Sequence, residues 1–252
     1  MSASFQKSIR FASVNIERNK HLGRVVPFLK NFKPDALCLQ EILECDIALF
    51  EKELDMHYTF VPESRMHVNF FDLTTPLTSE GVAIFTSVPP VNVRTDYYRG
   101  NPGEVPIYSK DEQGNVTSNF ILLSVEAIFG NVSYTFSTTH FIWTRDGMAN
   151  DEQREDIKKI LGFFENMPEF ILAGDFNAPR GREIFSEIAS RYKDNIPAHY
   201  TTSIDKNFHK AGDLQLMVDC LFSTPQYEVS DVKLNEGVSD HMAITALVAK
   251  RV

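Results

Sequence analysis

The sequence is poor in cysteine and has no long apolar run, and both shortages exclude whole classes of protein. Its three cysteines, Cys38, Cys45 and Cys220, show no Cys-x-x-Cys spacing, so neither a disulfide framework nor a thiolate zinc site is indicated. No segment has the roughly 18 uninterrupted apolar residues of a membrane-spanning helix, and residues 1–7 lack the apolar run of a secretory signal. We therefore expect a cytoplasmic protein with reduced cysteines and no stable membrane insertion.

The chain also lacks linkers, internal repeats and an excess of positive charge. No Pro-, Gly- or Ser-rich stretch is long enough to separate two units, so we expect one domain over residues 1–252. The net charge of −9 disfavours a protein that holds long duplex DNA non-specifically. A small phosphate-bearing substrate or a nucleic acid end remains compatible with it, and carboxylates clustered around a divalent cation would explain part of the negative charge.

Short apolar runs alternate with amphipathic stretches along the chain. Strands are predicted at Ile9–Asn15, Ala36–Glu41, Gly81–Val88, Val91–Tyr98, Phe120–Phe129, Val132–Thr139, Glu169–Ala173, Leu214–Phe222, Glu228–Leu234 and Met242–Val248. Helices are predicted at Leu22–Phe32, Asp151–Phe164 and about Arg182–Arg191. The third and fourth strands are expected to be adjacent and joined at Pro89-Pro90, and Gly130-Asn131 signals a hairpin. This mixture favours an α/β sandwich of two sheets over a doubly wound parallel sheet.

Polar residues recur where the predicted strands end. Asn15 and Glu41 end the first two strands, His140 follows Val132–Thr139, and Asp175 and Asn177 follow the strand that ends at Ala173. Side chains at such positions can converge where a buried layer opens to solvent. The pattern therefore predicts a functional site at one edge of the sheets.

These residue types suit metal-assisted hydrolysis of a phosphoester. A hard divalent cation binds phosphoryl oxygens, which eases the approach of a nucleophile and stabilises the leaving oxygen. Magnesium prefers oxygen ligands, and one or two carboxylates with amide groups suffice to hold it. Glu41 is the leading candidate ligand, and Asn15 and Asp240 can complete the site directly or through water. We expect Mg²⁺, with Mn²⁺ as a possible substitute.

The remaining polar residues supply the roles that such a reaction needs. Asp175 and Asn177, two apart in an extended segment, are expected to point to the same side, so that one orients or deprotonates water while the other holds phosphate or Asp175 itself. His241 can donate to a phosphoryl oxygen if a carboxylate holds its ring. Asp219 interrupts an apolar segment and needs a partner there, which we expect to be His241.

Six short motifs in this order resemble those of the endonuclease/exonuclease/phosphatase (DNase I-like) superfamily. They are Ser13-Val14-Asn15, Leu39-Gln40-Glu41, Thr139-His140-Phe141, Gly174-Asp175-Phe176-Asn177, Val218-Asp219 and Ser239-Asp240-His241. The resemblance runs from about Ile9 to Val248. It implies a four-layered α/β/β/α sandwich of two mixed, largely antiparallel sheets, and a magnesium-dependent phosphoesterase with its site at one edge of both sheets.

The resemblance also assigns roles residue by residue. It implies that Glu41 is the principal metal ligand, that Asn15 supports it, and that Asp240 lies near the metal. It further implies that Asp175 prepares the attacking water and that Asn177 fixes it.

The resemblance implies that His140 and His241 contact the scissile phosphate and that Asp219 orients His241.

Two departures from the family pattern bear on the substrate. Val14 stands where many members have Trp, and Ile16-Glu17 stands where abasic-site endonucleases have Asn-Gly. The second departure disfavours abasic-site cleavage.

The substrate is less well indicated than the chemistry. Tyr200-Thr201 and the polar loop that follows resemble the tyrosyl-DNA phosphodiesterase 2 and deadenylase-like branches, but the superfamily also contains inositol polyphosphate phosphatases and sphingomyelinases. Nucleic acid, as ends or single strands, is the leading substrate class. Inositol phosphates or phospholipids are the enzymatic alternative, and a catalytically silent binding domain is the third reading.

Four residues near the motifs are candidates for substrate binding. Trp143 and Arg145 follow His140 and can stack on a base and meet a phosphate, although a Trp packed over a loop fits the sequence equally well. The other two candidates, Arg180 and Arg182, lie where a helix is predicted to begin after Asn177, a favourable place for an anion. No protein partner is indicated.

Overall fold

The computed structural model describes residues 8–70, 72–111 and 116–251, so the polar residues 1–7 lie outside it. In chain order the strands are β1 (Ile9–Asn15), β2 (Ala36–Leu43), β3 (His57–His67), β4 (Leu77–Thr86), β5 (Pro90–Arg99), β6 (Ser109–Lys110), β7 (Val116–Thr117), β8 (Phe120–Phe129), β9 (Val132–His140), β10 (Ile171–Asp175), β11 (Lys193–Asp194), β12 (Asp219–Ser223), β13 (Tyr227–Asn235) and β14 (Ala243–Lys250). The α-helices are α1 (Leu22–Phe32), α2 (Ile47–Leu54), α3 (Asp151–Phe164) and α4 (Glu183–Ala189). No helix within the described ranges combines the length and apolar character that crossing a bilayer requires.

Two six-stranded sheets form the centre of the molecule. The strand order is β13-β14-β1-β2-β4-β3 in the first sheet and β11-β12-β10-β9-β8-β5 in the second. Each sheet contains one parallel pair among antiparallel neighbours, β1 with β2 and β9 with β10. The predicted fold class, two mixed and largely antiparallel sheets, is confirmed.

Side-chain alternation along the strands produces the four layers. In β1, Phe11 faces the second sheet, where its ring stacks on Phe136 of β9 at 5.7 Å, while Val14 faces the helices α1 and α2. On the other side of the molecule, α3 and α4 cover the second sheet through residues such as Ile160 and Phe185. Fully burying one such side chain stabilises the fold by about 1.5–3 kcal/mol. The order of layers is therefore α/β/β/α, as expected.

The Pro89-Pro90 junction connects the two sheets, and the expectation that the strands on either side of it are adjacent was wrong. β4 pairs with β2 and β3, whereas β5 pairs with β8 in the other sheet. Because proline has no backbone N–H, the junction cannot continue a hydrogen-bonded ladder, and the chain leaves one sheet and enters the other.

Two predicted strand ends also differ from the structure in ways that matter for the site. β10 extends to Asp175 instead of ending at Ala173, and β12 begins at Asp219 instead of at Leu214. Asp219 therefore starts its strand and lies directly opposite Asp175 in the antiparallel pairing of β10 with β12. The predicted hairpin at Gly130-Asn131 is confirmed, because β8 and β9 pair from Phe129 and Val132 onward.

Candidate active site

The two parallel strand pairs bring the site together. Asn15 is the last residue of β1, His140 the last of β9 and Asp175 the last of β10, while Glu41 lies near the end of β2. Asp175 and His140 are direct neighbours in the β9–β10 register. Since parallel strands end at the same edge of a sheet, both pairs deliver polar side chains to one edge of the sandwich.

A bulge in β2 directs Glu41 into this edge. The β2–β4 register shifts between Leu39 and Ile42, and Glu41 has a left-handed backbone with φ of 55°. Its carbonyl oxygen accepts a hydrogen bond from Arg18 N at 3.1 Å, which ties the segment after β1 to the bulge. A left-handed non-glycine residue costs of order 1–3 kcal/mol, and such strain concentrates at functional sites.

Asp175 is the central carboxylate of the site. Its Oδ2 accepts a hydrogen bond from Asn15 Nδ2 at 3.1 Å and lies 3.7 Å from Nε2 of both His140 and His241. Its Oδ1 accepts from the backbone N–H of Asn177 at 2.8 Å. Burial raises the pKa of Asp175, although the two imidazoles oppose that rise. Oδ2 is therefore held in a fixed position, with proton affinity above that of an ordinary Asp.

Asp219 holds the ring of His241. Their side chains meet at 2.7 Å through His241 Nδ1, so Nε2 is the ring nitrogen that faces Asp175. Burial alone would lower the pKa of His241, but the charges of Asp219 and Asp175 raise it well above its ordinary value. The structure thus contains the expected Asp219–His241 contact and favours a charged imidazolium.

Glu41 lies between an amide and a guanidinium. Asn15 Nδ2 donates to its Oε1 at 3.1 Å, and Arg18 Nη1 lies 3.1 Å from its Oε2. Burial would raise the pKa of Glu41, yet Arg18 and His140 bring it below its ordinary value. Asn15 presents its NH₂ to both Glu41 and Asp175 while its Oδ1 accepts from Glu17 N, so it orients the two carboxylates.

This corner fits a hard divalent cation. Within the described residues, Glu41 Oε2 is buried and has no aligned hydrogen-bond donor despite the nearby Arg18. Burial raises the pKa of Asp240 to about 6, and the charges of Glu17 and Glu41 add to the rise. Buried carboxylates that repel one another are stabilised by a cation with oxygen ligands. Glu41 and Asp240 are the carboxylates that would hold it, with Asn15 orienting Glu41, although Glu41 is not in the group of ligand atoms around Asp240 that lie within 4.8 Å of one another.

Asp240 has neighbours that sequence reasoning did not assign. One ligand atom each from Glu17, His21 and Asp240 lie within 4.8 Å of one another, and His21 Nε2 is 3.1 Å from Glu17 Oε2. Glu17 is two residues after Asn15 and His21 is at the start of α1, so the turn between them places both beside Asp240. No motif in the sequence indicated this proximity.

Two buried glutamates near Glu41 were also missed. Glu80 of β4 and Glu63 of β3 are 8% and 5% exposed. Burial and the charge of Glu41 raise the pKa of Glu80 to about 7, while burial and the charge of Glu80 raise the pKa of Glu63 well above its ordinary value. Neither stands inside an apolar run, since Glu80 follows Thr78-Ser79 and Glu63 precedes Ser64-Arg65, so no pattern in the sequence indicated that they are buried.

Asn177 differs from its expected geometry. It lies beyond β10 with a left-handed φ of 48°, so it does not share an extended segment with Asp175. Its Nδ2 donates to the carbonyl oxygen of Phe141 at 3.0 Å, and its backbone N–H donates to Asp175. Asn177 thus ties the segment after β9 to the segment after β10, and the expected extended segment ends at Asp175 because the left-handed turn follows it.

The four predicted substrate-binding residues fall into two groups. Trp143 is 55% exposed, and the side chain of Arg145 is almost fully exposed with Asp146 3.8 Å away. Arg180 Nη2 contacts Asp194 and donates to the Ile196 carbonyl, both at 2.8 Å. Arg182 donates to the Asp146 carbonyl. The first pair is accessible to a ligand, whereas the second pair is engaged within the protein.

Comparison with known protein families gives a match over most of the chain. The model of the Endonuclease/Exonuclease/phosphatase family matches residues 12–241, which include all six motifs noted above. A comparison with curated protein sequences gives no match.

Solved structures share the whole architecture. An endonuclease/exonuclease/phosphatase from Beutenbergia cavernae DSM 12333 has a TM-score of 0.74 at 15% identity, covering 98% of this chain and 72% of that one. The mannosyl-6-phosphatase Bt3783 of Bacteroides thetaiotaomicron VPI-5482 has a TM-score of 0.67 at 14% identity, covering 96% and 99%. ANGEL2, a 2′,3′-cyclic phosphatase in complex with adenosine-2′,3′-vanadate, has a TM-score of 0.66 at 14% identity, covering 100% and 99%. At these identities the likeness shows the fold.

Proposed function

The chain belongs to the endonuclease/exonuclease/phosphatase family, whose members are phosphoesterase hydrolases, and from its site we propose that it is a magnesium-dependent phosphodiesterase acting on nucleic acid. The substrates are ends or single strands, and the nucleophile is water. Three free thiols, one of them exposed at Cys45, suit a reducing compartment, so the proposal places the protein in the cytoplasm.

One observation carries the proposed chemistry. Asp175 Oδ2 lies 3.7 Å from two imidazole nitrogens, and Glu41 is linked to Asp175 through Asn15. The side chains of His140 and Glu41 are 21% and 17% exposed, so the site opens to solvent between them, and we call this place the opening. A base, two groups that can bind phosphoryl oxygens and a carboxylate for a cation therefore share one small space. This combination supports hydrolysis of a phosphoester by an activated water.

The residues divide the work of the reaction among them. Asp175 accepts the proton of water at Oδ2 while Asn15 and the Asn177 N–H hold its carboxylate. His241, charged because Asp219 holds Nδ1, donates from Nε2 to a phosphoryl oxygen as negative charge develops there.

On the opposite side, His140 Nε2 faces the same space and lies 3.9 Å from Glu41 Oε1. It can donate to a second phosphoryl oxygen. A divalent cation held by Glu41, with Asp240 near it, would supply Lewis-acid polarisation of the phosphate. The same site can use Mn²⁺, because the proposed ligands are oxygen atoms.

Nucleic acid is the proposed substrate because the opening has an exposed aromatic residue beside it. Trp143 lies three residues after His140, and Arg145 follows, so a base and a neighbouring phosphate have partners next to the site. A sugar or inositol phosphate is the second candidate, since the neighbour from Bacteroides thetaiotaomicron is a mannosyl-6-phosphatase of the same fold.

A substrate panel tests the proposal. Hydrolysis in Mg²⁺ is measured for single-stranded DNA and RNA, 5′-phosphotyrosyl DNA, abasic duplex, inositol phosphates, mannose 6-phosphate and sphingomyelin. We expect turnover of the single-stranded or end substrates, and His241→Ala should lower kcat by about 10²–10⁴-fold with a much smaller effect on KM. Turnover confined to the inositol, sugar or lipid phosphates would contradict the assignment to nucleic acid, and no turnover with retained ligand binding would favour a silent binding domain.

A further inference from the structure

An aromatic residue and a cation border Glu41 on the outside of the site. The Arg18 guanidinium that meets Glu41 also lies over the ring of Phe70, 5.6 Å from its centroid. Phe70 is 40% exposed, and its ring meets the ring of Tyr108 edge-on at 5.7 Å. Two partly exposed rings in edge-to-face contact thus border the Glu41 side of the opening.

The same arrangement continues to the His140 side. Tyr108 is held on β3 by its N–H, which donates to the Arg65 carbonyl at 2.8 Å. Lys110 is two residues further along this extended segment, so its side chain points to the same side as Tyr108. Lys110 Nζ lies 4.5 Å from the centroid of the Trp143 ring.

Three ring or cation contacts and the two-residue step from Tyr108 to Lys110 thus connect Arg18, beside Glu41, to Trp143, three residues after His140. We call these five residues the rim row: Arg18, Phe70, Tyr108, Lys110 and Trp143. Three are aromatic, two are cations, and none is acidic. At the Arg18 end the row borders a recess of about 290 Å³ lined by Arg18, Asn19, Lys20, Val68, Asn69 and Phe70.

The row matches one kind of ligand. Nucleobases stack on exposed aromatic faces, and interleaved cations meet the phosphates between them. Stacking of this kind requires bases whose faces are free, which a duplex does not offer. A protein with a net charge of −9 has little general attraction for polyanions, so a local row of cations and rings must supply it.

We propose that the rim row is a binding track for single-stranded nucleic acid, with bases on Phe70 and Trp143 at either side of the scissile phosphate. The inference rests on the proposed function, because it supplies the strand that the site would cleave. Arg18 and Lys110 contact the flanking phosphates, and the recess beside Arg18 receives the nucleotide at that end.

The chain itself contains a reporter for this contact, since Trp143 is its single tryptophan. Wild-type protein in EDTA is titrated with ten-residue single-stranded DNA and RNA while tryptophan fluorescence is recorded. We expect saturable quenching by at least one of the two. Phe70→Ala should weaken binding by about 5- to 150-fold, the range for loss of one stacked base. Lys110→Gln should reduce the salt slope of binding by about one phosphate contact.

Val93→Ala provides the matched control, because Val93 is an exposed apolar residue on the edge strand β5. It should bind like wild type. Unchanged Trp143 fluorescence with both oligonucleotides, equal binding of a duplex of the same sequence, or wild-type affinity in Phe70→Ala would each overturn the track.

Kinetics separate this inference from the proposed function. If the protein hydrolyses single strands but Phe70→Ala and Trp143→Ala keep the wild-type KM, the track is overturned and the function stands. Suppose that single strands quench Trp143 fluorescence and that Phe70→Ala lowers the affinity for them, yet no nucleic acid is hydrolysed in Mg²⁺. The track then stands and the proposed function fails. With both correct, the two variants raise KM for oligonucleotides and leave kcat within about twofold.

Discussion

Replacing Asp219 with Asn tests the electrostatics of the site through the stability of the fold. Asp219 and His241 are 2% and 7% exposed, and their side chains are 2.7 Å apart. Burial alone would lower the pKa of His241, but Asp219 and Asp175 raise it well above its ordinary value of about 6.5. Asn keeps the shape of the side chain and removes its charge, so the imidazolium loses its closest counter-ion.

The expected loss of unfolding free energy is about 3 kcal/mol, at the lower end of the cost of breaking a buried ion pair. The lower end applies because Asp175 Oδ2 remains 3.7 Å from His241 Nε2. A histidine whose pKa is raised by folding makes its full contribution to the unfolding free energy at a pH below its unfolded pKa, about 6.5. That contribution falls by about 1.4 kcal/mol per pH unit as the pH rises toward the folded pKa. The difference between wild type and Asp219→Asn should therefore be largest near pH 6 and smaller at pH 9.

Urea unfolding in EDTA at pH 6, 7.5 and 9 measures this difference, with Asp231→Asn as the control because Asp231 is exposed on β13. At pH 6 the thermal midpoint of Asp219→Asn should also fall by roughly 6–12 °C. A difference that stays constant from pH 6 to pH 9, or a variant as stable as wild type at pH 6, would refute the assignment of a charged His241.

Three further predictions concern the metal corner and the strand that carries Asp175. Magnesium at 100 times its dissociation constant should stabilise wild type by about 2.7 kcal/mol in thermal unfolding, and Glu41→Gln should lose this shift while the exposed control Glu44→Gln keeps it; retention in Glu41→Gln would remove Glu41 as a ligand. Glu80 has a folded pKa of about 7 against an ordinary 4.5, so its ionisation costs stability as the pH rises through that range. In urea unfolding with EDTA, the unfolding free energy of Glu80→Gln relative to wild type should rise by about 2–3 kcal/mol from pH 5 to pH 8, and a difference independent of pH would contradict this. Alanine at Gly174 would place Cβ 2.2 Å from a backbone oxygen of β9, so Gly174→Ala should lose about 3 kcal/mol or more, whereas Gly162→Ala, which has open space in α3, should not; equal midpoints for the two variants would exclude this strain.

Local sequence patterns predicted much of the fold because local propensity and packing agree there. The apolar run of β1 and the amphipathic stretches of α1 and α3 have the bounds that the sequence indicated. Long-range pairing was harder to predict. The residues around Pro89-Pro90 do not indicate whether the chain turns back within a sheet or crosses to another one, because that depends on which partner strand is available.

For the site, the sequence indicated which residue types meet but not the geometry that orients them. The Asp219–His241 contact was expected because a charge in an apolar segment needs a partner. The bulge at Glu41 and the left-handed turn at Asn177 were not, since neither position carries the glycine that usually marks such a backbone. Arg18 and Glu80 reach Glu41 only through the packing of β1, β2 and β4, which leaves no motif in the sequence.

The role of Asp175 as the base is tested by the single-turnover rate of cleavage of a single-stranded oligonucleotide in Mg²⁺ by wild type and by Asp175→Asn. Asn retains the hydrogen bond from the Asn177 N–H and cannot accept the proton of water. If Asp175 is the base, the rate in the variant is lower by about 10²–10⁴-fold, with unchanged binding of the oligonucleotide and unchanged cleavage by the exposed control Asp231→Asn. A rate for Asp175→Asn within a few fold of wild type would contradict the assignment of Asp175 as the base.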